Sequence, residues 1–391
     1  MERWRKIRLG DFCVTNADSY SPREEWGFVN YLDTGNITNN TIDSIQYIDI
    51  KNEKLPSRAR RKVKRNSIIY STVRPNQRHF GIIKSQPENF LVSTGFAVID
   101  VNTNVLDADF LYYLLTQDAL VEALHAIAEQ STSAYPSIKP SDLENLEIEI
   151  PDLDTQRKIA DVLSSLDRKI TQNTDVNENL QQQVFALFDQ LMLESGDSKC
   201  LVSDVAYLNP KRQLSKNQVA RCIDMSQLST SGAFPSGWDM KPFNGGMRFI
   251  NGDTLLARIT PCLENGKTAY IDFLDKKEVA FGSTEYIVLA PREGVPPEYL
   301  YCLARYPAFV DYAVKNMNGS SGRQRVSADT IGKFVMNHPS EDALRNFGDI
   351  ATALFMKMRY NSFENLRLVS LRDAILPRLM SGELDVSGLD L

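Results

Sequence analysis

The strongest restriction on the fold of this chain is an internal repetition, because short segments of its first half recur in the same order in its second half. Ser67–Pro75 and Asp253–Pro261 each consist of an apolar stretch that enters a polar turn closed by proline. Ser93–Ile99 and Ser283–Leu289 correspond in the same way, and the offset settles at 188 residues towards the end of each half. A conserved order of matching segments predicts two globular regions built to one plan.

Each half has a strand-rich region followed by a long helical pattern. The β-branched and aromatic composition of Ser67–Val73 and Phe96–Val101 is typical of strands, whereas Ala108–Glu129 has helical spacing. Pro151 and Pro339 close the two globular regions. These patterns predict an α+β protein in which two similar strand-rich domains are separated by an antiparallel coiled coil of two long helices, as a pseudo-twofold internal repeat.

The segments after these prolines carry apolar residues at alternating steps of four and three, which is the spacing of a coiled-coil seam. The first seam consists of Ile159, Leu163, Leu166, Ile170, Asn173, Asn177, Leu180, Val184, Leu187 and Leu191. The second consists of Phe347, Ala351, Leu354, Met358, Asn361, Asn365, Leu368, Arg372, Ile375 and Leu379. Both seams therefore contain two asparagines at corresponding positions.

An antiparallel pairing of the two helices explains these asparagines. It would place Asn173 opposite Asn365 and Asn177 opposite Asn361, and paired buried asparagines define the register of a coiled coil. Arg372 interrupts the second seam, so we expect the packing to loosen there. The alternative is two amphipathic core helices that tolerate a few polar residues.

These boundaries predict four segments. They are a first globular domain at 1–151, a first helical region at 152–195, a second globular domain at 196–339, and a second helical region with a C-terminal tail at 340–391.

Composition limits the function classes. With 42% hydrophobic and 24% charged residues, the 391-residue chain has the composition of a globular protein. It contains neither a membrane-length apolar run nor an apolar signal core, which predicts a cytoplasmic protein without membrane association. Five scattered cysteines and three scattered histidines do not favour a disulfide framework or a metal site. A net charge of −6 argues against DNA binding through a generally basic surface, so any nucleic-acid contact must use local patches or a partner.

The first half contains two candidate DNA-contact segments. A dense basic run could hold phosphates, and the turn after it collects side chains that can make paired hydrogen bonds to base edges. A solvated charged face is the alternative interpretation of the run. The run consists of Arg58, Arg60, Arg61, Lys62, Lys64 and Arg65, and the turn contributes Arg74, Asn76, Gln77 and Arg78.

Loops add further candidates. A glycine- and serine-containing loop of the second half allows close backbone approach to DNA, and the corresponding loop of the first half carries an aromatic and a basic residue. An ordinary mobile surface loop is the alternative interpretation. The second-half candidates are Arg258, Thr260, Lys267, Arg323, Gln324 and Arg325, and the first-half loop contributes Tyr135 and Lys139.

Catalytic motifs are weak. Asn265–Thr268 ends like a phosphate-binding loop, but Pro261 stands where that loop requires glycine, so Gly266 is interpreted as a turn glycine. Asn209-Pro210 lacks the second proline and the aromatic residue with which amino-methyltransferases hold a flipped base. The alternatives that stay open are a stand-alone DNA-modifying enzyme and a coiled-coil scaffold that does not read sequence.

The two helical regions resemble the DNA specificity subunit of type I restriction-modification systems, through TQRKIADVLSSLD (residues 155–167) and ILPRLMSGEL (residues 375–384). The resemblance implies a non-catalytic reader of double-stranded DNA. Each globular half would recognise one part of a bipartite target, and the coiled coil would set the spacer between the parts. It also implies two methyltransferase (modification) subunits as partners, joined by restriction subunits in the full complex. S-adenosylmethionine, ATP and magnesium would belong to those partners, which methylate adenine and cut DNA, and this chain would bind no cofactor.

Overall fold

The computed structural model describes residues 4–131, 135–196, 198–320, 322–386 and 388. The chain is an α+β protein that divides into two compact units. Unit 1 comprises Met1–Asp167 and Ser370–Leu391, and unit 2 comprises Arg168–Val369. None of the helices in the described ranges has both the length and the apolar character that a membrane crossing requires.

The described residues of unit 1 form short strands and short helices, together with parts of longer helices. The strands are β1 (Arg5–Arg8), β2 (Cys13–Thr15), β3 (Val29–Leu32), β4 (Ile37–Thr38), β5 (Thr41–Ile42), β6 (Gln46–Ile48), β7 (Ala59–Arg61), β8 (Ile68–Ser71), β9 (Phe80–Ile82), β10 (Phe90–Ser93), β11 (Phe96–Val101) and β12 (Glu147–Ile150). The short helices are α1 (Ala108–Thr116), α2 (Asp118–Glu129) and α3 (Pro140–Glu144).

The described strands of unit 1 form four sheets. One four-stranded sheet has the order β2-β11-β8-β9 with antiparallel neighbours, and a second has the order β6-β3-β10-β7 with β3 and β10 parallel. β1 and β12 form a two-stranded antiparallel ribbon, and β4 pairs with β5. Every side chain of β8 and β10 is buried, which explains why their sequences are continuous apolar runs rather than alternating ones.

Unit 2 repeats much of this order. Its strands are β13 (Lys199–Leu201), β14 (Ala206–Leu208), β15 (Val219–Ile223), β16 (Asp239–Pro242), β17 (Met247–Phe249), β18 (Thr254–Ala257), β19 (Thr268–Tyr270), β20 (Ala280–Gly282), β21 (Tyr286–Pro291) and β22 (Val335–Asn337). The sheets have the orders β14-β21-β18-β19, β16-β15-β20-β17 and β13-β22, and the central β15–β20 pair is parallel. These orders match those of unit 1 strand by strand.

Two long helices, α4 (Leu153–Glu194) and α9 (Glu341–Met380), each contribute residues to both units. The short helices of unit 2 are α5 (Val202–Val205), α6 (Pro297–Arg305), α7 (Pro307–Lys315) and α8 (Ala328–Gly332). The helical pattern over 108–129 is two helices, since Gln117 adopts an extended ψ of 137° between α1 and α2. Tyr306 makes the same break between α6 and α7, where Pro307 follows.

The start of α4 explains part of the TQRK motif. The Asp152 carboxylate accepts hydrogen bonds from the backbone N–H groups of Asp154 and Thr155 at 2.9 and 3.1 Å, which caps the helix. Gln156 is fully buried, and its amide group donates to the carbonyl oxygens of Val105 and Pro151. The helix therefore begins where its first turn is tied to the core of unit 1.

Candidate nucleic-acid interface

The polar turn that follows β8 has a constrained backbone in unit 1. Arg74 and Arg78 flank the 3-10 turn Pro75–Gln77, and both have positive φ angles of 48° and 57°. Such left-handed conformations are uncommon for residues other than glycine, asparagine and aspartate, and they persist where the surroundings fix them. Asn76 and Gln77 are exposed at the tip, so the turn presents their amide groups to solvent.

The loop that carries Tyr135 packs against this turn. The Arg74 backbone N–H donates to the carbonyl of Pro136 at 2.9 Å, and the N–H of Ile138 donates to the carbonyl of Thr72 at 2.8 Å. The Arg74 guanidinium lies over the Tyr135 ring at 5.4 Å from its centroid. Two segments about 60 residues apart in sequence thus form one surface. Residues 132–134 of the predicted loop lie outside the described part of the chain.

Lys139 is the other first-half loop candidate. It is exposed and precedes α3, and its backbone N–H donates to the Asp142 carboxylate at 2.7 Å. Its side chain therefore lies on the outside of unit 1, one residue beyond the segment that pairs with the turn.

The basic run divides into paired and exposed cations. Lys62 donates to Glu24 at 2.5 Å and lies over the Trp26 ring, and Lys64 is 3.3 Å from Asp100. These carboxylates offset two of the six positive charges, which reduces the attraction of the run for phosphate. Among the remaining residues, Arg60 and Arg61 are half-buried at the end of β7, and Arg58 and Arg65 are exposed.

Arg58 connects the run to the turn. Its carbonyl accepts a hydrogen bond from the Thr94 N–H at 2.8 Å, and the adjacent Gly95 carbonyl accepts from the N–H of Thr72 at 2.8 Å. Arg78 is held differently, because its guanidinium donates to Asp118 at 2.5 Å. Arg78 therefore anchors the turn to α2, whereas Arg58 stands exposed beside the turn.

Unit 2 brings its two predicted segments together in the same manner. Ile259 and Arg325 form an antiparallel bridge, and the N–H of Thr260 donates to the Gln324 carbonyl at 3.1 Å. Thr260 Oγ1 also donates to Glu264 at 3.1 Å, and Arg323 is exposed in the loop. Ser321 of this loop lies outside the described residues.

Lys267 is a candidate that the structure directs inward. Its Nζ donates to the carbonyl of Met225 at 2.8 Å, and the lysine follows Gly266, whose φ of 72° forms the turn between β18 and β19. Gly266 is therefore a turn glycine, as its sequence context predicts.

Two acidic residues of these surfaces were not singled out from the sequence. Glu285 accepts hydrogen bonds from the Arg325 guanidinium, and these bonds lower the pKa of the Glu285 carboxyl. Asp118 binds Arg78 in the corresponding role in unit 1. No local sequence signal identifies either residue, because each lies 40 residues from its arginine. For Glu285, comparison of the two halves offers a hint, since the first half has Gly95 at the matching position.

Within unit 2, α4 and α9 contact each other through asparagines. Asn173 Nδ2 donates to Asn365 Oδ1 at 2.9 Å, and Asn361 Nδ2 donates to Asn177 Oδ1 at 2.9 Å. These are the two pairs that an antiparallel arrangement predicts. Asn173 also donates to Glu364 at 2.7 Å, and this bond lowers the pKa of the Glu364 carboxyl. The amide groups of this contact therefore pair with one another, except that the buried Asn361 Oδ1 has no hydrogen-bond partner among the described residues.

Arg372 stands at a seam position in unit 1 that is otherwise apolar, and its guanidinium is paired there. Its guanidinium donates to Asp167 of α4 at 2.7 Å, and the Tyr113 hydroxyl donates to the other oxygen of the same carboxylate at 2.6 Å. An ion pair and a hydrogen bond take the place of apolar packing there, and Arg372, Asp167 and Tyr113 also line a cavity, so the expected loosening at Arg372 stays a prediction.

Comparison with known proteins finds similar chains in one family. Residues 1–182 match the model of the type I restriction modification DNA specificity domain. The chain is 24% identical to the specificity subunit of the type I restriction enzyme HindI of Haemophilus influenzae, over 98% of this chain and 100% of the relative. It is 22% identical to the MjaIX specificity subunit of Methanocaldococcus jannaschii, over 98% and 94% of the two chains.

The fold agrees with this relationship. The crystal structure of the S subunit of a type I restriction-modification system from M. genitalium is similar, with a TM-score of 0.59 and 18% identity over 97% of this chain and 96% of that chain. In the described part of the chain, no group of histidine, cysteine, aspartate or glutamate side chains is arranged to hold a metal ion. The family model over residues 1–182 and the full-length relatives show that this chain is similar to the DNA specificity subunits of type I restriction-modification systems, and the solved structure shows that it shares their fold.

Proposed function

We propose that this chain reads a split DNA sequence for a type I restriction-modification complex, and that each unit recognises one half of the target. Partner subunits would methylate adenine and cut DNA, and they would bind S-adenosylmethionine, ATP and magnesium. The chain itself would recognise the DNA sequence and would catalyse no reaction.

One observation carries this proposal most strongly. In each unit, two polar segments far apart in sequence form one surface, through the Val73–Ser137 bridge in unit 1 and the Ile259–Arg325 bridge in unit 2. Their exposed side chains include arginine, asparagine and glutamine, which can bind guanine or adenine edges in the major groove. Two such surfaces are what a bipartite target requires.

The charge distribution supports a complex in which a partner subunit provides part of the positive surface that binds DNA phosphates. The chain has a net charge of −6, and carboxylates already pair with Lys62, Lys64, Arg78 and Arg325. Since phosphate neutralisation supplies most of the sequence-independent affinity for DNA, a methyltransferase partner must contribute positive surface. The lone chain is therefore expected to bind DNA weakly at physiological salt.

We also propose that α4 and α9 form an antiparallel coiled coil that sets the spacer between the half-sites. The Asn173–Asn365 and Asn361–Asn177 hydrogen bonds support this arrangement, because they pair residues that would be costly to bury alone. Both helices would also carry the binding surfaces for two methyltransferase subunits.

The test is to map methylated adenines in DNA from cells that express the full chain with its methyltransferase subunits. We expect one split motif with a fixed spacer. Arg74→Ala together with Asn76→Ala should relax one half of the motif, and Arg258→Ala together with Arg325→Ala should relax the other. Lys315→Ala, which removes an exposed lysine paired with Asp311 in α7, is the control and should leave the motif unchanged.

Two results would contradict the proposal. DNA cleavage or methylation by the purified chain alone would assign it an enzymatic activity of its own. Methylation that is independent of sequence in the assembled complex would leave only a scaffold role.

A further inference from the structure

Arg325 in unit 2 is held by a carboxylate in a defined orientation. Its Nε donates to Glu285 Oε1 and Oε2 at 3.0 and 2.9 Å, and its Nη2 donates to Oε1 at 2.7 Å. Its Nη1 donates to the carbonyl of Arg323 at 2.9 Å. Contacts on two sides of the guanidinium, to the Glu285 carboxylate and to the Arg323 carbonyl, fix its plane and not only its position.

Some N–H groups of the Arg325 guanidinium remain available to bind acceptors outside the protein. A guanidinium has five N–H groups. The contacts made by the described residues use the single N–H of Nε, one N–H of Nη2 and one of Nη1. One N–H on each Nη is left to bind a pair of acceptors, and the Arg325 side chain is 38% exposed.

The backbone of Arg325 is equally restricted. Its N–H donates to the Asn318 carbonyl and its carbonyl accepts from the Asn318 N–H, both at 2.9 Å. On the other side it bridges Ile259, and the N–H of Val326 donates to the Arg258 carbonyl at 3.0 Å. The guanidinium therefore stands on a rigid base, as a residue that reads one base pair requires.

The surroundings keep Glu285 ionised for this role. The hydrogen bonds from Arg325 lower the pKa of the Glu285 carboxyl, and the Arg258 guanidinium lies 4.0 Å away and acts in the same direction. The two arginines and one carboxylate carry a net charge of +1. A free Arg325 would bind any phosphate, whereas one engaged by Glu285 keeps its orientation for a matching acceptor pair.

We infer that Arg325 reads a guanine in the half-site bound by unit 2, through bidentate hydrogen bonds to N7 and O6, and that Glu285 is the residue that positions it. This inference rests on the proposed function. Guanine is the base whose major-groove edge offers two adjacent acceptors to an arginine. Unit 1 has no matching group, because Thr72, Gly95 and Ser137 stand at the corresponding positions.

The first experiment uses the full chain assembled with its methyltransferase subunits. Arg325→Lys keeps the charge but removes the planar donor pair, so discrimination at one G·C pair of one half-site should fall about 10- to 100-fold. Arg323→Lys in the same loop is the matched control, and it should weaken binding to all sequences alike. A change of base preference in both variants, or in neither, would overturn the assignment.

Glu285→Gln tests whether Glu285 positions the Arg325 guanidinium or only stabilises the fold of unit 2. Loss of the carboxylate frees a positive charge, so affinity for unrelated DNA should rise and its salt dependence should steepen by about one charge, while discrimination falls. If the Glu285–Arg325 salt bridge only stabilised unit 2, Glu285→Gln would lower the affinity for the target sequence and the affinity for unrelated DNA together. Glu285→Asp should restore part of the discrimination.

A second experiment changes the DNA instead of the protein, so its result for the native complex does not depend on the folding of a variant. Replacing the target guanine by 7-deazaguanine removes the N7 acceptor and should weaken binding by the native complex, with little further effect on Arg325→Lys. Equal losses in both proteins, or a unit 2 half-site without guanine, would refute the inference. Absence of any sequence preference in the native complex would instead refute the proposed function.

Discussion

Glu298 in α6 shows how a single buried carboxylate affects the stability of unit 2. It is 4% exposed, and its Oε1 accepts hydrogen bonds from Thr352 Oγ1 at 3.1 Å and from the Tyr270 hydroxyl at 3.4 Å. Its Oε2 has no partner among the described residues. Burial raises the pKa of this carboxyl, and nearby Asp272 adds to the effect. The charged form is therefore disfavoured in the folded protein.

Glu298→Gln should stabilise unit 2 increasingly as the pH rises. An acid with a raised folded pKa binds its proton more tightly in the folded state, so its stabilising contribution is present below the unfolded pKa of about 4.3 and is lost as pH increases towards the folded value. Glutamine does not titrate. The melting temperature of the variant should therefore exceed that of the native chain more at pH 8 than at pH 5.

Glu293→Gln is the control for this measurement. Glu293 is exposed in the loop before α6, so its substitution should change the melting temperature little at either pH. A difference between Glu298→Gln and the native chain that shrinks towards alkaline pH would contradict the argument.

Gln156 supports the entry into α4 through one buried side chain. Its Oε1 accepts from the Asp107 N–H at 2.9 Å, and its Nε2 donates to the carbonyls of Val105 and Pro151 at 3.1 and 3.0 Å. Gln156→Leu leaves these backbone groups buried without partners, which should cost about 2–3 kcal/mol. The melting transition of unit 1 should move down, and Gln183→Leu at an exposed site of the same helix should have little effect. Equal effects of both changes would argue against this role.

At the scale of elements, the long helices combine apolar seam positions with a polar centre. Val184, Phe188, Ala351 and Phe355 are buried in one hydrophobic cluster of unit 2. The asparagines follow this cluster along the seam. A leucine pair there would pack in several registers of the two helices, whereas the side-chain amides of an asparagine pair can form their hydrogen bonds in only a few. The asparagines therefore make the contact less stable than leucines would, but they define its register.

Double-mutant cycles should reveal this pairing. Asn173→Leu alone removes the donor to Asn365 Oδ1 and one of the donors to Glu364, which Lys169 still contacts at 3.3 Å, and it should destabilise unit 2 by about 1–2 kcal/mol. Adding Asn365→Leu should cost less than the sum of the single changes, with a coupling of about 1 kcal/mol in chemical denaturation. Asn173→Leu with Asn361→Leu, which no described hydrogen bond connects, should be nearer to additive. Stronger coupling in that mismatched pair would contradict the register.

At the scale of the whole molecule, the proposed spacer role predicts a dependence on helix length. One heptad inserted between Asn173 and Asn177, with another between Asn361 and Asn365, keeps the apolar register but adds about 10 Å to each helix. The tolerated DNA spacer should change by about three base pairs, at 3.4 Å per step. Methylation mapping of the assembled complex measures this directly, and an unchanged spacer would contradict the proposal. A heptad added to α4 alone is the control and should impair assembly.

Local pattern was enough to predict the α+β class, both long helices and the partners of Asn173 and Asn177. Periodicity depends on residues three and four apart, so a sequence displays it without knowledge of the fold. The polar turn at Arg74 and the loop at Arg325 were also recognisable from residue type. What the sequence did not indicate was which of these cations remain exposed.

Only the tertiary structure decided that question. Glu24, Asp100, Asp118 and Glu285 lie from 36 to 40 residues away from the cations they engage, and the folded backbone alone brings them within hydrogen-bonding or ion-pairing distance. The same applies to Asp167, which compensates Arg372 from 205 positions away. Charge pairing depends on distances of a few ångströms, whereas sequence records only order along the chain.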